Sequence, residues 1–555
     1  MSAAPSRSAV GSAAAFDRAS VHRKATEALW RGRLPGGKRL FLAAAFLVGM
    51  PFYLAGQSWS TSAAEAFTES ADEMEARASG GNALRQVAFL TLGGCGVWCL
   101  AQDRRRQARP LPTWWSPYWP GGKTASLLCE WAGVARRSHP VAWVLAMYLA
   151  WCFASVLWSH EPGQTIRKLI VLGCWTAGSL GVARVLSPRR IVWLGVLLPA
   201  IYLSIGVMAE ISLGTFRPWG GDYRFAGTMH PNTQGLTLAS MIAGAFVLWR
   251  SERRFARVSE STDEPQSASF GLWLPALIAA GVLFTLLTKS RTSAAGLALC
   301  LGLLAAITVP PRWRLAATVA GGTVGGAALM TALSLGSDPL GGAMDAATLG
   351  RSEQLSSLTG RHEIWAEIGR FMERRPLAGY GYDSFWTPEH VAIVSENCGW
   401  GLREAHSSYR DILLSVGKVG LALLVPALLW AWFAAIQRYA AGERAAEGRP
   451  GVPPSGVGEP LAGYIAGLLA VGLLNAFTES AMSMVLFTPF LISCGLAKLF
   501  VYPQETVSPF GADWLDAPAP HVTGSEIQSY GPSDGPESNV RSQQSAGRTE
   551  SNIAR

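Results

Sequence analysis

The chain has 555 residues, 49% of them hydrophobic and only 15% charged, with 22 Trp and a net charge of +9. Positive mean hydropathy with repeated apolar runs near bilayer length excludes an ordinary soluble domain and indicates a polytopic membrane protein. The runs are too long and too uniformly apolar for the alternating strands of a barrel, so they read as α-helices.

Residues 1–38 form a basic, Ala- and Ser-rich N-terminal segment, read as disordered, and the first apolar run carries no small-residue cleavage pattern. About twelve spans follow, near 39–57, 84–102, 141–158, 169–186, 191–210, 232–249, 270–288, 292–309, 315–335, 412–436, 461–478 and 482–502. Between them, 110–140 reads as an interfacial piece, 255–269 as a flexible linker and 503–555 as a disordered tail. The expected organisation is a transmembrane domain over 39–502 flanked by the two polar ends. No transporter-like internal repeat is visible.

Basic clusters such as Lys38–Arg39, Arg104–Arg106, Arg136–Arg137, Arg189–Arg190 and Arg250 with Arg253 fall at alternate span ends. The positive-inside rule then makes both termini cytoplasmic and reads the charge as topology, with no nucleic-acid partner. It also turns the short loops near 158–168, 211–231, 289–291 and 479–481 outward, together with the long segment 336–409. None of the eight cysteines forms a C-x-x-C pair, so neither a zinc site nor a disulfide framework is expected.

The 336–409 segment concentrates polar chemistry and is longer than a connector requires. Thr359 is a plausible N-cap for an amphipathic helix that Pro376 stops, which puts Arg361 in its first turn. A cation there opposes the helix dipole unless an anion is near, and a guanidinium beside a helix N-terminus suits phosphate oxygens. A structural pair with Glu363 or Glu367 is the plainer alternative. Pro376–Gly381 (P-L-A-G-Y-G) reads as a glycine turn. Ser408-x-x-Asp411 reads as a capping box, which sets His406 just before a span, where a neutral imidazole can take a proton. Arg224, Lys289 and Arg291 lie at the same end of the spans, either snorkelling or joining Arg361 around a diphosphate.

Taken in order, L-W-S-H-E-P-G (157–163), R-F-A-G-T-M-H-P-N-T-Q-G (224–235), L-T-K-S-R-T-S (287–293), T-G-R-H-E-I-W (359–365), R-P-L-A-G-Y-G (375–381) and H-S-S-Y (406–409) resemble the bacterial O-antigen ligase and polymerase family, which includes exopolysaccharide-repeat polymerases. The resemblance implies an all-α, type C glycosyltransferase-like architecture of about twelve helices, with a large, partly helical periplasmic loop. It implies location in the inner membrane and a polyprenyl-diphosphate-linked glycan donor. The acceptor would be a glycan, lipid or protein, without metal or other cofactor. Membrane lipids and envelope polysaccharide assembly proteins would be its surroundings.

By motif, Arg224, Arg361 and His406 fall at the family's functional positions. Arg291, Lys289, His230, Asn232, Glu404 and Tyr380 are candidates for substrate binding. The chain has Glu404-Ala405-His406-Ser407 where family members often carry H-x-H-N, which leaves acceptor binding open. A transporter of lipid-linked oligosaccharide is the alternative from another class. It fits less well, because the notable charges gather at one face.

Overall fold

The computed structural model describes residues 35–56, 83–107, 139–220, 223–259, 272–308, 361–399, 401–447 and 459–502. Regular structure among them is helical. The helices are α1 (Pro35–Gly56), α2 (Ala83–Gln107), α3 (Pro140–Ala154), α4 (Pro162–Val185), α5 (Pro188–Ser212), α6 (Pro231–Ser259) and α7 (Trp273–Leu287). They continue with α8 (Arg291–Thr308), α9 (Arg361–Arg374), α10 (Pro388–Cys398), α11 (Ser408–Glu447), α12 (Glu459–Asn475) and α13 (Phe487–Leu496), the last prolonged by a π turn over Ala497–Val501. Proline opens α3, α4, α5 and α10, where its missing N–H is no loss.

Among the described residues six stretches are long and apolar enough to cross a membrane: Ala83–Gln102, Pro140–Leu157, Pro162–Val185, Pro188–Ser212, Arg291–Thr308 and Ser408–Arg444. Shorter apolar stretches lie in α1, α7, α12 and α13. Helix α6 begins with the polar Asn232, Thr233 and Gln234 and ends in charges, yet it sits deep in the bundle. The expected span 315–335, the cap Thr359, the first part of the 336–409 segment and the expected polar tail fall outside the described residues. The expected linker is partly helix, since α6 runs on to Ser259.

Helices α5, α6 and α12 meet at Tyr464, whose hydroxyl bonds Ser240 Oγ at 2.6 Å in a fully buried setting. Only glycine fits at position 195, because a Cβ there would lie 1.8 Å from that hydroxyl. Helices α2 and α4 approach still more closely along Gly93, Gly96, Gly178 and Gly181, so small residues replace hydrophobic driving force. Outward, Leu42, Phe46, Trp98, Trp143 and Phe433 are exposed, a surface made for lipid rather than water.

Helix α11 is broken at Gly417 (φ 70, ψ −171), a backbone region open essentially to glycine alone. The break releases carbonyls that need donors. Leu414 O accepts from Tyr380 N at 2.8 Å, Ser415 O from Gly381 N at 2.9 Å, and Val416 O from Trp151 Nε1 at 2.9 Å. In return Lys418 N donates to Pro376 O and Val419 N to Leu377 O. The R-P-L-A-G-Y-G segment is, as expected, a turn, and it forms a strap laid along a kinked helix, with Gly379 and Gly417 allowing the contact.

Candidate active site

The arginine-bearing loops converge at one end of the bundle around a residue the sequence reading did not single out, Glu479. It follows α12 and is 6% exposed. Its Oε1 accepts from Arg361 Nη2 at 2.5 Å and from Asn232 Nδ2 at 2.8 Å. Asn232 Oδ1 accepts from Arg224 Nη2 at 2.6 Å, and Arg224 Nε donates to Thr288 O at 2.7 Å. A continuous chain, Arg361–Glu479–Asn232–Arg224, thus ties together three segments far apart in sequence, and Arg224 Nε carries it to a fourth at Thr288. Arg361 opens α9 without a local acid for its Nη2. The anion that its position calls for is supplied 118 residues later in the chain, not by Glu363 or Glu367. Glu367 is engaged by Arg370 and Asn397.

Each segment is held by its own polar scaffold. Glu210, buried at the end of α5, accepts from Ala226 N and Gly227 N at 3.0 and 2.7 Å and from the Tyr223 hydroxyl, which fixes the loop carrying Arg224. Phe225 N donates to Leu287 O, laying this loop on the end of α7. The α7–α8 turn has Lys289 at φ 49, with Ser290 N bonded to Thr288 Oγ1. Arg291 opens α8 near enough to Arg361 for the two cations to repel.

Ser408 does not form a capping box with Asp411. Its hydroxyl donates to Glu479 O at 2.8 Å and accepts from Met482 N at 3.1 Å, while Asp411 Oδ1 turns back to Ala405 N and Trp386 Nε1. The physical reason is tertiary: the loop after α12 presents its own backbone to the start of α11 and captures the hydroxyl.

His406 adopts φ 47, a left-handed conformation uncommon for a side-chain-bearing residue. Its Nδ1 lies 3.1 Å from Glu404 Oε1. Burial pushes the imidazole down to about 4, with Arg361 adding to the effect and Glu479 opposing it, so the ring is neutral near pH 7. His230 accepts from Asn232 N through Nδ1 at 3.3 Å. Burial, with Arg224 and His406 next in weight, pushes it down to about 3. Burial raises the Glu404 and Glu479 carboxyls, against the pull of nearby arginines. These are the shifts of a desolvated polar site. No group of three or more metal-ligating side chains gathers among the described residues.

Arg224, Arg361, Asn232, His230, Arg291, Glu404 and His406 thus share one neighbourhood. Tyr380 has a different setting. It is buried, its hydroxyl donates to Phe371 O at 3.0 Å, and its ring packs on Phe385 and His390. Two residues missed by the sequence reading carry weight here, Glu479 and Arg403, whose charge pulls against the upward shift of Glu404. A lone Glu between two apolar runs was the available signal for the first: an acid beside hydrocarbon is costly unless paired.

Residues 275–425 match the model of the O-antigen ligase family. The chain is also 26% identical over 337 residues to the exopolysaccharide production protein ExoQ of Rhizobium meliloti (strain 1021), covering 57% of this chain and 70% of that protein. The family segment takes in α7, α8, the strap and the start of α11, bringing Arg291, Arg361 and His406 within it. Motif order, helical membrane architecture and both comparisons agree: this is a helical membrane protein similar to the O-antigen ligase family and to an exopolysaccharide production protein.

Proposed function

We propose that the protein is a glycosyltransferase of the outer face of the inner membrane, moving a glycan from a polyprenyl diphosphate carrier to an acceptor hydroxyl. The observation that carries this reading is the chain Arg361–Glu479–Asn232–Arg224, which holds two guanidiniums in one place with Arg291 beside them. Their cationic, forked donors match diphosphate oxygens. As the anomeric C–O bond breaks, its electron pair goes to the diphosphate, and the arginines stabilise that charge without a metal being required. The acceptor oxygen forms the new bond to the anomeric carbon from the opposite face. Its proton passes to His406, whose neutral ring has Nδ1 3.1 Å from Glu404 Oε1. Helix α9 opens at Arg361 and packs Ile364, Ile368 and Phe371 against Phe385, Val394 and Leu414, and in our reading its place beside the arginines helps keep water from consuming the donor.

The test is glycosidic bond formation by purified protein supplied with a lipid-linked donor. Wild-type protein forms product, whereas folded Arg361→Ala and His406→Ala proteins lose it by at least a hundredfold. Normal product from both variants would overturn the reading. Movement of the donor across a vesicle without bond formation would point to a transporter.

A further inference from the structure

The backbone of His406, at φ 47, lies where a residue with a side chain stays only when its surroundings fix it. They fix it from both directions along the chain. After it, Ser407 and Ser408 are buried; Ser407 Oγ donates to Ala476 O at 3.2 Å and Ser408 N to Glu479 O at 3.0 Å. Before it, Ala405 is fully buried, and side chains take both polar atoms of its backbone. Ala405 N donates to Asp411 Oδ1 at 3.1 Å, and Ala405 O accepts from Trp365 Nε1 at 3.0 Å.

The two side chains that grip Ala405 are tied to one turn of helix. Asp411 stands in the first turn of α11, where an acid suits the helix dipole. Trp386 Nε1 donates to its Oδ1 at 3.1 Å and Ser483 Oγ to its Oδ2 at 3.4 Å, which fixes the plane of the carboxylate. Trp365 lies on α9, one turn after Arg361, and the Arg410 guanidinium stacks 3.8 Å over its ring. Arg410 and Asp411 are neighbours on α11. A single turn of that helix therefore holds Ala405 directly through Asp411 and indirectly through Trp365. The next residue along the chain is His406, with Nδ1 3.1 Å from Glu404 Oε1.

We propose that Asp411 and Trp365 are positioning residues for His406, holding the Ala405 peptide so that the imidazole meets the acceptor hydroxyl in the geometry proton transfer needs. This rests on the function proposed above and deepens it. A general base must come within about 2.6–3.2 Å of the oxygen whose proton it takes, and a misplacement of about 1 Å costs on the order of a hundredfold. Removing either hydrogen bond frees one end of the Ala405 peptide. The left-handed backbone of His406 then relaxes and the ring swings with it. Donor binding is spared, because the arginines are held by the separate chain through Glu479 and Asn232. The loss therefore falls on kcat and not on KM. Asn in place of Asp411 keeps Oδ1 as acceptor for Ala405 N and Trp386 Nε1 and turns an amide N–H toward Ser483 Oγ, which can accept it. A role through position survives that change, and a role through the negative charge of Asp411 does not.

The experiment pairs a chemical footprint with kinetics. Diethyl pyrocarbonate acylates neutral imidazole, and the His406 side chain is 21% exposed, so mass spectrometry of the digested protein reads its modification rate without any substrate. Turnover of a lipid-linked donor is measured on the same samples, and a thermal melt verifies folding. Asp411→Ala and Trp365→Phe each raise the His406 modification rate about threefold or more and lower kcat about tenfold or more, with KM for the donor unchanged. Asp411→Asn returns both readouts close to wild type. Should Asp411→Ala fail to fold, Trp365→Phe carries the same two readouts. Wild-type modification and kcat in a folded Asp411→Ala or Trp365→Phe protein would overturn the proposal. So would an Asp411→Asn protein as impaired as Asp411→Ala. Faster modification in the variants of a protein that forms no glycosidic bond would instead refute the enzymatic reading and leave the grip on His406 standing.

Discussion

Glu479→Gln is the sharpest test of the arginine cluster. The carboxylate sits 2.5 Å from Arg361 Nη2 and 2.8 Å from Asn232 Nδ2, so it occupies a donor that a diphosphate oxygen would use. An oxygen bonded to the same guanidinium would lie about 5 Å from Oε1, where two unit charges at an effective dielectric near 20 repel by about 3 kcal/mol. Replacing the carboxylate by an isosteric amide removes that repulsion and keeps an acceptor for Arg361. Allowing for residual screening, inorganic pyrophosphate should bind ten- to a hundredfold more tightly, a gain of about 1.5–3 kcal/mol. Stability moves the other way, because one partner of a buried pair is lost; loss of the whole pair costs about 3–5 kcal/mol and the amide recovers part of it. Isothermal titration with pyrophosphate near neutral pH, paired with a thermal melt, reads both quantities. Unchanged or weaker pyrophosphate binding in a folded Glu479→Gln protein would refute the reasoning, since Arg361 would then not be an anion site in which Glu479 competes.

Three further outcomes follow from the same geometry. His406 and His230 are held near 4 and 3 by burial, so between about pH 6.5 and 4 the unfolded chain binds protons that the folded chain refuses. Stability should therefore fall on acidification, by up to about 1.4 kcal/mol per pH unit for each histidine, with the raised Glu404 and Glu479 partly offsetting it. The drop in melting temperature from pH 7 to pH 5 should shrink in His230→Gln; an unaltered slope contradicts the assignment. Gly417→Ala sets a Cβ 2.1 Å from Leu377 O in a glycine-only conformation, and should cost about 3 kcal/mol or more, read as lost folded yield or a lowered melt. Tyr380→Phe removes one hydroxyl bond to Phe371 O, about 1 kcal/mol of stability, and should leave turnover per folded molecule intact; a selective loss of turnover would instead support a substrate-binding role.

Much of the helical order was readable because membrane spans are written locally, in runs of apolar residues whose length matches the bilayer. Alternation of span ends also gathers Arg224, Lys289, Arg291, Arg361 and His406 at one end. A cation in the first turn of a helix requires an anion nearby, but a partner 118 residues away, as Glu479 is for Arg361, leaves no periodic trace in sequence. The capping reading of Ser408 failed for the same reason, as a backbone from another segment captured the hydroxyl.

The sequence by itself determined a helical membrane protein and its resemblance to the O-antigen ligase family, since hydropathy, charge alternation and ordered motifs are properties of neighbours in the chain. Only the tertiary structure decided that Glu479 and Asn232 join the arginines, that the glycine strap satisfies the carbonyls of a broken helix, and that Asp411 and Trp365 grip the peptide before His406. Each of those depends on which distant segments touch. A buried charge or an orphaned carbonyl demands a partner, and the packed fold selects it.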